Sequence, residues 1–198
     1  MGNFKVKDHY FDKAKRENYL ARSIYKLEEI DQKYKVIKPG NLVVDFGYYP
    51  GSWIQYTSKI IGDEGRVVGI DIQEVNKKLS GVKNVRVYQK DIFNIADLSQ
   101  LDVSEQFDVV LSDMAHSTTG IQSLDQIRSL NLVESVIGLL PKFLRPGGNF
   151  VIKVFDSQMA QNYLKEQKSR FNEFHYLKPK STRSVSKEFF VIGKHFKA

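Results

Sequence analysis

The spacing of apolar residues changes period several times along the chain. Leu20, Ile24, Leu27 and Ile30 recur at three- and four-residue steps, which predicts an amphipathic helix from about Ala14 to Gln32, closed before the Pro39-Gly40 turn. On such a helix Arg22 and Lys26 share a face beside the apolar stripe. Next comes Leu42-Val43-Val44-Asp45-Phe46, a short apolar run bounded by turn residues, as in a buried parallel strand. The pattern then alternates: helix Trp53 to Ile61, strands Arg66 to Ile70, Val85 to Tyr88 and Phe107 to Leu111, and helix Leu124 to Leu144. Strand Phe150 to Val154, helix Ser157 to Arg170 and the runs Phe174 to Leu177 and Phe189 to Ile192 complete it. Strand–helix alternation predicts an α/β fold with a mostly parallel seven-stranded sheet and helices on both faces.

Length and composition narrow the picture. A chain of 198 residues is long enough for one domain with a sizeable core. No repeat, low-complexity tract or linker divides it, so residues 1–198 are expected to form a single domain: a basic helical segment, 1–38, leading into a core, 39–198. The 41% hydrophobic and 27% charged content is that of a soluble globular protein. No apolar run approaches the roughly 20 residues that cross a bilayer, and Met1-Gly2-Asn3-Phe4-Lys5 lacks the apolar centre of a secretory signal. A cytoplasmic protein with no membrane partner is therefore expected. The chain has no cysteine, which excludes disulfides and thiolate metal sites, and its four His show no metal-ligand spacing. No metal is expected.

Charge points to a partner. The 30 Lys and Arg against 23 Asp and Glu give a formal +7, compatible with a polyanion. Basic residues gather at both ends, from Lys5, Lys7 and Lys13 to Lys38 and again from Lys178 to Lys197, around a more neutral middle.

In a parallel α/β sheet, ligands bind outside the carboxyl ends of the strands. The first strand runs into Asp45-Phe46-Gly47-Tyr48-Tyr49-Pro50-Gly51-Ser52-Trp53, a glycine-containing loop that opens a helix, and the second ends at Asp71. An acid at that point is placed to accept hydrogen bonds from the ribose of a nucleoside cofactor. The loop matches neither G-x-G-x-x-G nor G-x-x-x-x-G-K-[ST], which argues against NAD and ATP. Asp113 directly follows Val109-Val110-Leu111, at another strand end. Lys153 interrupts the apolar Phe150-Val151-Ile152-Lys153-Val154-Phe155, where a lysine is costly unless paired, and Asp113 is its natural counter-charge. Glu188 opens the last apolar run; by spacing alone it reads as an ordinary solvent-facing strand residue.

Taken together, Ser23-Ile24-Tyr25-Lys26-Leu27, Val44-Asp45-Phe46-Gly47-x-x-Pro50-Gly51-x-Trp53, Ser112-Asp113-Met114-Ala115, Val151-Ile152-Lys153-Val154-Phe155 and Ser186-Lys187-Glu188 resemble the FtsJ/RrmJ ribosomal RNA large-subunit 2′-O-methyltransferases. The resemblance runs in order from about Asp8 to Gly193. It implies a Rossmann-like methyltransferase domain with S-adenosyl-L-methionine as methyl donor, and a catalytic tetrad falling on Lys26, Asp113, Lys153 and Glu188. The implied cofactor set is Asp45, Gly47, Tyr49, Pro50, Gly51, Trp53, Asp71, Ile72, Asp91, Ile92 and Asp113, with Asp71 on the ribose hydroxyls and Asp91 beside the adenine. The implied substrate is a ribose in 23S ribosomal RNA, probed within the large ribosomal subunit by a monomeric enzyme. Arg22, Lys26, Lys180, Arg183 and Lys187 would carry RNA phosphates on either side of the site. A ribose hydroxyl is a poor nucleophile, so it must lose its proton while the methyl group is held in line behind it. Lys153 is the residue expected on that hydroxyl. Lys26 disfavours its charged form and Asp113 favours it, while Glu188 is expected to orient Lys26 or the ribose.

Departures from the family pattern are specific. Tyr48, Tyr49 and Ser52 stand where the family has small residues and a glycine, so two rings enter a loop that approaches the cofactor. His116-Ser117 replaces Pro-Asn after the Asp113 motif, and Leu20 replaces a basic residue. Three readings remain at this point besides large-subunit methylation: a tRNA 2′-O-methyltransferase, a non-catalytic RNA-binding assembly factor with a degenerate cofactor pocket, and a small-molecule methyltransferase, which leaves the basic ends unexplained.

Overall fold

The structure is a computed structural model that describes residues 9–115 and 119–197. Lys5, Lys7, His116 and Ser117 lie outside the described residues. The helices are α1 (His9–Arg16), α2 (Ile24–Tyr34), α3 (Ser52–Ile61), α4 (Gln122–Phe143) and α5 (Gln158–Gln167). The strands are β1 (Leu42–Phe46), β2 (Arg66–Asp71), β3 (Val85–Gln89), β4 (Phe107–Ser112), β5 (Leu144–Phe155), β6 (Phe171–Leu177) and β7 (Glu188–Phe196).

All seven strands join one sheet in the order β3-β2-β1-β4-β5-β7-β6. Pairs from β3 through β5 are parallel, whereas β7 runs antiparallel to both β5 and β6. The sheet is thus mixed, with β7 alone reversed. Alternating side chains send Val43, Val67, Val109, Leu111, Val151 and Phe190 into one core layer under α2 and α3, and Val44, Phe46, Val110, Phe150 and Ile152 into the other under α4 and α5. No helix among the described residues is long and apolar enough to cross a membrane.

The predicted helix from Ala14 to Gln32 is two helices. Asn18 takes the left-handed conformation at φ 59° and Tyr19 N–H turns back to the Ala14 carbonyl, ending α1. Leu20 then leaves the apolar stripe: its N–H donates to Gln55 Oε1 at 2.8 Å and its side chain packs under the layer beside α3. Ile24, Leu27 and Ile30 keep the helical period and are fully buried along α2. Arg22 consequently sits in the connection and does not share a helix face with Lys26.

Candidate active site

Four carboxyl-end loops converge above β1, β2, β3 and β4. They enclose a cavity of about 610 Å³ lined by Gly47, Tyr49, Asp71, Ile72, Asp91, Ile92, Phe93, Asp113 and Met114, among others. The volume lies within the range of nucleotide-sized ligand pockets, about 300–1,000 Å³. Gly47 makes this possible: its φ is +76°, and a Cβ there would meet Met114 Cγ at 2.2 Å. Asp71 fixes the rim, its Oδ2 accepting from Tyr49 N–H at 3.0 Å and its Oδ1 from Gln73 N–H at 2.9 Å. Asp91 Oδ1 accepts from Phe93 N–H at 3.0 Å, which starts a short 3-10 turn.

Behind the cavity lies a carboxyl group without a partner. Asp45 on β1 is 1% exposed, and neither carboxylate oxygen has a hydrogen bond among the described residues. Burial, reinforced by the carboxylates of Asp113 and Asp71, pushes its pKa well above the ordinary carboxylate value.

Beside the cavity, the catalytic candidates form two linked pairs. Lys153, buried in β5, places Nζ 3.0 Å from Asp113 Oδ1 and donates to the Asp113 carbonyl at 2.5 Å. Lys26 on α2 meets Glu188 Oε1 at 2.5 Å, over the ring of Phe190. Burial opposes the charge of Glu188, but the hydrogen bond and charge of Lys26, aided by Lys153 and Ser186, outweigh it and hold the carboxyl below its ordinary value. The solvent-facing reading of Glu188 is therefore corrected: it is 9% exposed and ion-paired. The pairing with Lys26 is one of the two arrangements expected of it.

The loop residues divide. Gly47 and Tyr49 line the cavity with Asp71, Ile72, Asp91, Ile92 and Asp113. Pro50, Gly51 and Trp53 are not among its lining residues. Pro50 accepts from Asn76 Nδ2 at 2.7 Å, Gly51 faces Leu79, and Trp53 Nε1–H donates to the Ser23 carbonyl at 2.8 Å, tying α3 to the start of α2. Tyr48 does not enter the cavity either: it is buried against Gly69, where a Cβ would meet its ring at 2.8 Å. Phe93, 61% exposed on the cavity wall, escaped the sequence reading. The signal for it was an aromatic two residues beyond the acid Asp91.

At the other side of the tetrad, the two basic ends of the chain are stitched together. Glu29 of α2 accepts the N–H groups of Lys180 and Ser181 at 2.7 and 2.9 Å, and Arg22 donates to the Ser181 carbonyl at 2.6 Å. Lys180, Arg183 and Lys187 are exposed on this loop, which leads directly into Glu188. No cluster of His, Asp or Glu among the described residues could hold a metal ion.

A ligand cavity at parallel strand ends, flanked by a buried lysine–carboxylate system, defines an α/β enzyme of the group-transfer kind. The chain belongs to the FtsJ-like methyltransferase family, whose sequence model matches residues 19–196. It is 45% identical over 196 residues to the ribosomal RNA large subunit methyltransferase E of Bdellovibrio bacteriovorus, covering 96% of this chain and 97% of that one. The protein of the same name from Syntrophobacter fumaroxidans is 45% identical, with 96% of each chain covered. A Plasmodium falciparum crystal structure assigned as a ribosomal RNA methyltransferase superposes with a TM-score of 0.75 at 27% identity, over 90% of this chain and 98% of that one.

Proposed function

We propose that this protein transfers a methyl group from S-adenosylmethionine to a ribose 2′-hydroxyl of large-subunit ribosomal RNA. The observation that carries this reading is the buried Lys153–Asp113 pair standing between the strand-end cavity and the Lys26–Glu188 pair. Family membership and the names of the relatives support it.

The residues fit the cofactor. Asp71 would take the ribose hydroxyls, Ile72, Ile92 and Phe93 the faces of a base, and Asp91 its edge, all of them lining the one cavity. The acid group Asp45, Asp71 and Asp113 complements a ligand bearing sulfonium and ammonium charges, and the unpartnered Asp45 is the group such a cation would satisfy. When bound, S-adenosylmethionine supplies an electrophilic methyl group. Lys153 donates to the Asp113 carbonyl and lies in ionic contact with its carboxylate. The lysine held this way is suited to stabilise the 2′-oxygen as its proton departs to water. Glu188 fixes Lys26, so a second positive group borders the same oxygen. Arg22, Lys180, Arg183 and Lys187 would bind phosphates around it. In this reading the chain is one cytoplasmic, monomeric unit of Rossmann-like type, with the basic segment that carries Arg22 and Lys26 forming part of its RNA-facing side.

The test incubates the protein and tritiated S-adenosylmethionine with large subunits and with total tRNA from a strain lacking the enzyme, followed by nuclease mapping. Label in a 2′-O-methyl nucleotide of the subunit is expected. Label in tRNA alone would move the target, and no label together with no cofactor binding would overturn the reading.

A further inference from the structure

Next to the tetrad runs a trench that the proposed chemistry leaves unused. It begins at Phe155, the last residue of β5, whose ring centroid lies 6.0 Å from Lys153 Nζ. From there it passes the Asp156 N–H to Lys187 carbonyl bond and reaches Phe189 and Tyr176. Three adjoining hollows of about 380, 670 and 580 Å³ compose it, and Asp156 borders all of them.

The walls carry a consistent chemistry. Phe155, Phe189 and Tyr176 supply rings, Tyr176 being 49% exposed and 5.9 Å from Phe189 between centroids. Gln122 and Gln126 from α4 supply side-chain amides, those of Gln158 and Gln161 from α5 being bonded to Asn162 and Asp156, and Lys178 and Lys187 stand on the rim. The carboxylates present are engaged within the protein: Glu188 pairs with Lys26, Asp156 accepts from Gln161 Nε2 at 2.6 Å, and Asp125 accepts from Thr119 and Gly120. Rings stack on the face of any base, amides match base edges with both a donor and an acceptor, and ammonium groups neutralise phosphates. Only unpaired nucleotides expose their base faces to such walls. The lysine rim and the continuity with Lys153 and Glu188 favour RNA over a protein segment.

We propose that this trench seats the unpaired RNA nucleotides flanking the modified ribose, one base against Phe155 and the next on the Phe189–Tyr176 shelf. The inference rests on the RNA-methylation reading above. Loss of one stacked base typically weakens single-strand binding about 5- to 100-fold, so in the full-length protein Tyr176→Ala should raise KM for large subunits about tenfold. Cofactor affinity should stay at the wild-type value, and a circular dichroism spectrum matching wild type should show the fold retained. Oligoribonucleotides carrying 4-thiouridine beside the target should photo-crosslink to peptides containing Phe155, Tyr176 or Phe189. An unchanged KM in Tyr176→Ala with adducts elsewhere overturns the trench while leaving methylation intact; a wild-type protein that labels no RNA overturns the reading beneath it. Variants that lose intact subunits but bind and methylate naked RNA normally would show a protein occupant, and would also overturn the proposal.

Discussion

Asp45 offers a direct measurement of what the empty-handed acid behind the cavity does to the protein. Its carboxylate is 1% exposed and unpartnered, and burial with the nearby Asp113 and Asp71 charges raises its pKa well above the ordinary value. The unfolded chain loses this proton at about pH 3.9, while the folded protein still holds it. Between those two pKa values the folded state binds one more proton, so stability falls as pH rises, by up to about 1.4 kcal/mol per pH unit. Below the unfolded pKa the contribution is fully present, and above the raised folded pKa the slope disappears. For a chain of this length 1.4 kcal/mol corresponds to roughly 3–6 °C in melting temperature. Asp45→Asn abolishes the titration, so the stability of wild type minus that of the variant should decline with pH. Urea denaturation without cofactor, from about pH 5 to about pH 8, reads this difference, and the other titrating groups largely cancel in it. The same substitution should weaken S-adenosylmethionine binding about 10- to 100-fold, the worth of a hydrogen bond to a charged group. Parallel stability curves for the two proteins across that range would refute a buried, uncompensated Asp45.

Lys153→Ala should lower kcat about 100- to 1,000-fold, the usual cost of one donor to a developing oxyanion, with RNA affinity in filter binding unchanged; retained turnover sinks the assigned role. Glu188→Gln removes a carboxyl whose pKa is held low by Lys26, a contribution present above the ordinary carboxylate pKa and lost as pH falls through the lowered one. Acid denaturation should therefore show the wild-type advantage over Glu188→Gln shrinking below about pH 4.3, and a constant difference would contradict the pairing. Trp53→Phe should cost about 1–2 kcal/mol through the lost bond to the Ser23 carbonyl. Because Trp53 lies off the cavity, calorimetry should find its cofactor affinity intact; a matching loss there would return it to the cofactor set.

Much of this architecture was legible because apolar runs of the right length and turn residues between them are what a buried parallel strand requires. The strand-end acids Asp71 and Asp113 could be placed at the cavity for the same reason, Asp91 only through the family resemblance, and Lys153 because a lysine in an apolar strand needs a counter-charge. What periodicity missed depends on tertiary contact. Leu20 fits a helical stripe by spacing, yet Gln55 on α3 captures its backbone N–H and breaks the helix. Trp53 and Gly51 share a loop with cavity residues but point into packing, against Ser23 and Leu79. Tyr48 and Tyr49 are adjacent and chemically alike, but one is buried on Gly69 and the other lines the cavity.

The direction of β7 decides whether Glu188 can belong to the site at all. Because β7 runs against β5, its first residue pairs with the last of β5, Glu188 opposite Phe155, with Lys153 opposite Phe190 two residues further along. Side chains at paired and alternate positions share a face, so Glu188, Phe190, Lys153 and Phe155 lie together on the α2 side, where Lys26 descends. In a parallel β7 the first residue would start level with Phe150, about 17 Å from Phe155 at 3.3 Å per residue, and Lys26 would face no acid. The reversal also makes the basic loop after β6 end beside the tetrad, with the Asp156–Lys187 bond closing the floor between the reacting groups and the trench. One reversed strand thus joins three features that the sequence holds far apart: the acid on Lys26, the cationic loop and the aromatic track.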